Sequence, residues 1–96
     1  MPRNRFIVSY DIADDKQRSA VYEVMQSFGD RVQYSVFHCE LSPRELLDLE
    51  QSLHPLINHS NDQVLFFDLG SASRPVRARV RWLGLPFQVV TRARII

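Results

Sequence analysis

Apolar and polar positions change period several times along the chain, and each change marks an element. Phe6-Ile7-Val8-Ser9-Tyr10-Asp11-Ile12 is an almost unbroken apolar run, which predicts a buried β-strand over about residues 5–12. Asp14 or Asp15 can then N-cap a helix whose apolar positions Val21, Val24, Met25 and Phe28 recur at helical spacing. Gly29 reads as the C′ residue that stops it. Within residues 31–41, Val32, Tyr34 and Val36 alternate with Gln33 and Ser35, the pattern of a half-buried strand. Phe37 falls on the otherwise polar face, so a bend or bulge is expected near Ser35.

Ser42-Pro43-Arg44-Glu45 is a helix start in which Ser42 is the N-cap, Pro43 takes the first helical position and Glu45 completes a capping box. Leu46, Leu49, Leu53 and Leu56-Ile57 continue the helical period, and Pro55 ends or kinks it. Asn58-His59-Ser60-Asn61-Asp62 is a turn, and Gln63 to Leu69 reads as a further buried strand ended by Gly70. Residues 71–86 fit two patterns. Arg77, Arg79 and Arg81 alternate as on a strand, while Val76, Val80 and Leu83 suit a helix. Ser73 as N-cap, Pro75 in the first turn and Gly84 as C′ favour a short helix. Gln88 to Ile96 is expected to be a last strand with Arg92 and Arg94 on one face.

This order predicts one domain over 1–96, an α+β chain forming a ferredoxin-like α/β sandwich with an extra C-terminal strand. Residues 31–41 contain no Gly, Asn or Pro to turn a hairpin, so the second and third strands of that fold are expected as one bent segment. The terminal strand over 88–96 would leave an apolar edge open in a monomer, and pairing with a second subunit removes that liability.

Composition narrows the class. A hydrophobic share of 45% suits a globular chain, and no window reaches the roughly 18 apolar residues of a membrane span. The opening Met1-Pro2-Arg3-Asn4-Arg5 runs directly into the first strand, so no signal peptide and a cytoplasmic location are expected. The single cysteine, Cys39, excludes an internal disulfide and a cysteine-based zinc site, and reads as a buried small hydrophobe. The net charge of +1 hides an asymmetry: all eleven acids lie before residue 74, while six arginines and no acid follow. A basic tail rich in Arg suits bidentate phosphate contacts and points to a polyanionic partner such as DNA or RNA. Arg77, Arg79 and Arg81 are the candidate contacts; a solvated basic surface is the alternative.

Asp11 ends the first strand, where α/β turns bring a side chain to the rim of the sheet. A carboxylate there can bind a metal, act in acid–base chemistry or cap a turn. Asp14 and Asp15 are better explained as acids favoured by a helix N-terminus. His38, His54 and His59 lack the spacing of metal ligands, and no Gly-rich phosphate loop appears.

Tyr10 to Asp15 (Tyr-Asp-Ile-x-Asp-Asp), Arg18, and the segment Asp30 to Leu41 around Gln-Tyr-Ser-Val-Phe resemble the small CRISPR-associated adaptation protein family over roughly residues 5–70. That family is described as a metal-dependent endoribonuclease that partners the CRISPR integrase. The resemblance implies a homodimer in which the last strand of one subunit extends the sheet of the other. It also implies one Mg²⁺ or Mn²⁺ held between the two copies of Asp11, with Arg18, Arg31 and Phe37 at positions tied to nuclease activity. Ala20 stands where some members carry a second basic residue. Read by themselves, Arg18 and Arg31 suit either phosphate binding or solvent, and Phe37 either packing or base stacking. Two functions follow: metal-dependent phosphodiester cleavage, or a nucleic-acid-binding scaffold for the integrase. An unrelated ferredoxin-like RNA-binding or regulatory domain without catalysis is the alternative.

Overall fold

Six main elements follow one another in the computed structural model, which describes residues 2–87: β1 (Asn4–Asp11), α1 (Asp15–Phe28), β2 (Gly29–Gln33), β3 (Val36–Leu41), α2 (Pro43–Leu53) and β4 (Gln63–Ser71). The strands form one antiparallel four-stranded sheet in the order β2-β3-β1-β4. Strand alternation sends Phe6, Val8 and Tyr10 of β1 and Phe37, Cys39 and Leu41 of β3 to one side. There they meet Val21 and Met25 of α1 and Leu49 and Leu53 of α2 in a single core. Each such side chain contributes about 1.5–3 kcal/mol when fully buried, which is why both helices settle on this face. The result is the ferredoxin-like α+β sandwich.

The opposite face carries Ile7, Ser9 and Asp11 of β1. The register sets Ile7 between His38 and Phe67, Ser9 between Val36 and Leu65, and Asp11 beside Gln63. Among the described residues no α-helix packs on this face; Phe87, after β4, rests on its His38 side, while Leu65 and Phe67 stay 40% and 50% exposed.

Local chemistry sets the helix starts. The Asp14 carboxylate accepts the Gln17 N–H at 2.9 Å and caps α1. At α2, Ser42 Oγ accepts the Glu45 N–H at 3.2 Å while Glu45 Oε1 accepts the Ser42 N–H at 2.8 Å, the expected capping box. Arg3 adds a two-pronged grip on Glu45 at 2.8 and 3.1 Å, and with the capping bonds this holds the Glu45 carboxyl at a pKa of about 2. α2 stops at Leu53, and Pro55 sits in a 3₁₀ turn, His54–Leu56.

Several expectations need correction. Residues 31–41 are not one bent segment: the chain reverses at Tyr34-Ser35 between β2 and β3. Among the described residues none other than glycine has positive φ, so this reversal is not one of the glycine-favoured hairpin turns. A β-bulge between Arg31 and Gln33 supplies twist, and the Ser35 carbonyl is pinned by the Tyr10 N–H at 3.1 Å. Gly29 is not a left-handed cap, since its φ is −166° and it opens β2 directly. A side chain there would collide with the His38 carbonyl and reach 2.5 Å from Cys39 Sγ.

β4 runs on to Ser71 rather than ending at Gly70, and it is only half-buried. Gly70, at φ +88°, forms a bulge where Asp68 to Ser71 face Asn4 to Phe6. The helix expected over 73–84 shrinks to one 3₁₀ turn, Val76–Ala78, and Ser73 is not its cap. Leu83 and Leu85 remain 99% and 91% exposed, so no packed face supports a longer helix. The strand expected over 88–96, with Arg92 and Arg94, lies outside the described residues. No described helix is long and apolar enough to cross a membrane.

Candidate functional site

Asp11 is the last residue of β1, is exposed, and belongs to the sheet face opposite the helices. The loop that follows is held from a distance. Asp62, just before β4, accepts the Ala13 N–H at 3.0 Å and the Asn58 N–H at 2.8 Å. Those two amides, Ala13 first, pull the Asp62 carboxyl below the usual aspartate range. One side chain therefore ties the β1–α1 loop to the α2–β4 loop beside Asp11. Sequence reading missed it, because Asn58 to Asp62 carries the composition of an ordinary polar turn.

Tyr10, one residue earlier, points the other way. It lines an open cleft of about 270 Å³ with Arg18, Ser19 and Tyr22 of α1, Arg31 of β2 and Tyr34 of the turn. Phe37, 1% exposed, lies beneath it. Its ring is stacked with Tyr10 at 6.3 Å and meets Tyr22 edge-on at 5.8 Å. Burial is the main reason the Tyr10 phenol is pushed up from its usual pKa, with Arg31 and Arg18 opposing weakly.

The two arginines of the cleft differ. Arg18 donates from Nη1 to the Ile12 carbonyl at 2.9 Å and pairs through Nη2 with Asp15, one turn back on α1. The Asp15 carboxylate is the main reason its pKa is raised, and Tyr34 adds a smaller push. Arg31 sits with its guanidinium carbon 5.8 Å from the centre of the Tyr22 ring, and no ion pair among the described residues includes it.

The structure thus brings Arg18 and Arg31 to one cleft, buries Phe37 under it, and sets Asp11 on the other face. Arg77, Arg79 and Arg81 are exposed on the segment after β4. Arg5 anchors that segment by donating from Nη2 to the Ala72 carbonyl and from Nε to the Arg74 carbonyl, both at 3.1 Å. Phe87 rests edge-on against His38 at 6.3 Å.

A divalent cation tests the donor set. Among the described residues no three His, Cys, Asp or Glu side chains cluster as a metal site. Asp11 contributes one hard oxygen donor group, which suits Mg²⁺ or Mn²⁺ if a second carboxylate joins it and water completes the shell. A second copy of this chain is a source of that carboxylate.

A ferredoxin-like sheet with an acidic strand end on one face and an arginine–tyrosine cleft on the other defines a class of small α+β sandwich domains. Residues 4–75 match the family CRISPR associated protein Cas2, and the chain belongs to that family. It is 34% identical over 91 residues to the CRISPR-associated endoribonuclease Cas2 of Geobacter sulfurreducens, covering 95% of each. Among solved structures, Streptococcus pyogenes Cas2 at pH 6.5 superposes with a TM-score of 0.71 at 30% identity, covering 83% of this chain and 99% of that one. A chain of a partial Cas6–RT–Cas1–Cas2 complex gives 0.62 at 28% identity, over 70% and 79% of the two chains.

Proposed function

We propose that the protein is a CRISPR adaptation factor, a homodimeric nucleic-acid-binding scaffold for the CRISPR integrase with a subsidiary metal-dependent nuclease activity. The observation that carries this reading is the sheet face opposite the helices, which Ile7, Leu65 and Phe67 share with Asp11. Large exposed apolar side chains at one sheet face call for a partner. A two-fold axis across that face brings a second Asp11 to the first without further sequence. The partial Cas1–Cas2 complex similar to this chain supports an integrase as the larger partner. Family membership also removes the alternative of an unrelated RNA-binding or regulatory domain.

The two Asp11 carboxylates would hold Mg²⁺ or Mn²⁺, which would supply Lewis-acid polarisation of a phosphodiester. The chain's own residues do the rest. Asp62 fixes the loop after Asp11, Arg18 braces the Ile12 carbonyl, and Arg77, Arg79 and Arg81 offer guanidinium forks to phosphates. The sheet-face pairing is tested by sedimentation of the Leu65→Asp/Phe67→Asp variant. Monomers are expected; an unchanged dimer places the interface elsewhere. Metal-dependent cleavage of RNA or DNA by Asp11→Asn should vanish, and persistence would assign it to another group.

A further inference from the structure

His54 and His59 stand five residues apart, a spacing at which an α-helix would not bring two side chains together. The fold does so by ending the helix between them. α2 stops at Leu53 and the chain tightens into the 3₁₀ turn His54–Leu56. The turn that follows then carries His59 back to His54. The two imidazole rings lie with their centres 4.3 Å apart and their planes tilted by 43°. Both residues are exposed, so neither ring serves to fill the core.

The proton on His59 is already placed. Its Nε2 is 2.9 Å from the His54 carbonyl, and a carbonyl only accepts, so Nε2 carries the hydrogen. The neutral ring then presents a lone pair at Nδ1. Histidines that bind metals commonly have this arrangement, with one ring nitrogen donating to a backbone carbonyl and the other turned to the cation. The backbone beneath the ring is held as well. The Asn58 carbonyl accepts the Asn61 and Asp62 N–H groups at 3.1 and 2.7 Å, and the Asp62 carboxylate accepts the Asn58 N–H at 2.8 Å. A ligand fixed in its turn loses little freedom on binding.

Distance and charge both suit a shared cation. A metal about 2.0–2.1 Å from a ring nitrogen lies about 3.2 Å from that ring's centre. Rings 4.3 Å apart can therefore occupy adjacent positions in one coordination shell, at about 85°. His54 is the C-cap of α2, where the helix dipole favours positive charge. Imidazole donors suit Cu²⁺, Ni²⁺ or Zn²⁺, whereas the Asp11 carboxylate suits Mg²⁺ or Mn²⁺. No third His, Cys, Asp or Glu joins the pair among the described residues, so water completes the shell.

We infer that His54 and His59 form a binding site for one divalent transition cation at the C-terminal end of α2, with Cu²⁺ held most tightly.

The test is calorimetric titration of the untagged full chain with Cu²⁺, Ni²⁺ or Zn²⁺ alone, with electron paramagnetic resonance of the Cu²⁺ form. One Cu²⁺ per chain is expected, its spectrum split by two imidazole nitrogens, with Ni²⁺ and Zn²⁺ bound more weakly. His54→Gln and His59→Gln should each weaken Cu²⁺ binding about tenfold or more, at least the cost of losing an outer partner of a ligand. Circular dichroism checks that these exposed substitutions leave the fold intact. Unchanged Cu²⁺ affinity in both variants would assign the metal to the amino terminus or another group and overturn the site. Loss in only one variant, or splitting by a single nitrogen, would reduce it to one surface histidine and overturn it equally.

Discussion

Nη1 of Arg5 lies 3.2 Å from Nε2 of His38 on the face of the sheet opposite the two helices. A guanidinium only donates, so His38 must accept at Nε2 and carry its proton on Nδ1. Burial first, and the Arg5 charge second, lower the His38 pKa from 6.5, against weaker opposition from Glu40 and Asp30. The unfolded chain therefore takes up a proton near pH 6.5 that the folded chain refuses. Folding stability should be insensitive to His38 above that pH and fall as pH drops below it toward the folded pKa. Urea midpoints measured above and well below pH 6.5 check this; His38→Gln should remove that part of the slope, and an unchanged slope would refute the assignment.

Arg5 also holds the Ala72 and Arg74 carbonyls, and so the start of the arginine-rich segment. Arg5→Gln should release it. Trypsin cleavage after Arg77, Arg79 or Arg81 should then speed up by about tenfold or more, since each bond to a charged group contributes about 1.5–3 kcal/mol. Limited proteolysis followed by mass spectrometry reads the sites.

Gly29 and Gly70 separate two reasons for a glycine. Gly29→Ala drives a methyl into the His38 carbonyl and Cys39 Sγ, and overpacking of this kind costs about 1–3 kcal/mol. Gly70→Ala meets nothing within 4 Å but strains a backbone at φ +88°, a smaller loss of about 1–2 kcal/mol. Denaturant unfolding should rank Gly29→Ala as the worse of the two.

Phe37 acts on the cleft by supporting Tyr10 and Tyr22. Phe37→Ala should cost about 3–5 kcal/mol of stability, as large-to-small core changes do. Phe37→Leu should keep more of both stability and nucleic-acid binding. Loss of binding by Phe37→Leu at full stability would instead put the ring in contact with substrate.

Arg77, Arg79 and Arg81 should each contribute to the salt dependence of duplex binding. Replacing all three with Gln should flatten the slope of log K against log salt by up to about 2.7. Filter binding across a salt series measures it, and an unchanged slope would remove these residues from the interface.

What the sequence revealed followed from local chemistry. The Ser42–Glu45 box, the Asp14 cap and the apolar run ending at Asp11 depend on neighbours within a few residues, and the structure shows each in place. The Tyr34-Ser35 reversal was hidden, because its support is the Tyr10 amide and a bulge rather than turn residues. Gly29 looks in the sequence like a helix stop, whereas the crowding that requires a glycine comes from β3. The helix pattern after Ser73 had caps but no surface to pack on. Arg18 and Arg31 were singled out from a family pattern. Their shared cleft with Tyr22 and Tyr34 is assembled from β1, α1, β2 and a turn, a juxtaposition no spacing in the chain encodes.

The proposed scaffold role of the dimer makes Asp11 chemistry subsidiary. Spacer integration by the complex reconstituted with its integrase tests it most directly, using Asp11→Asn. Integration at the wild-type rate is expected although metal-dependent cleavage is lost. Loss of integration by an Asp11→Asn dimer that still binds integrase and DNA would contradict it.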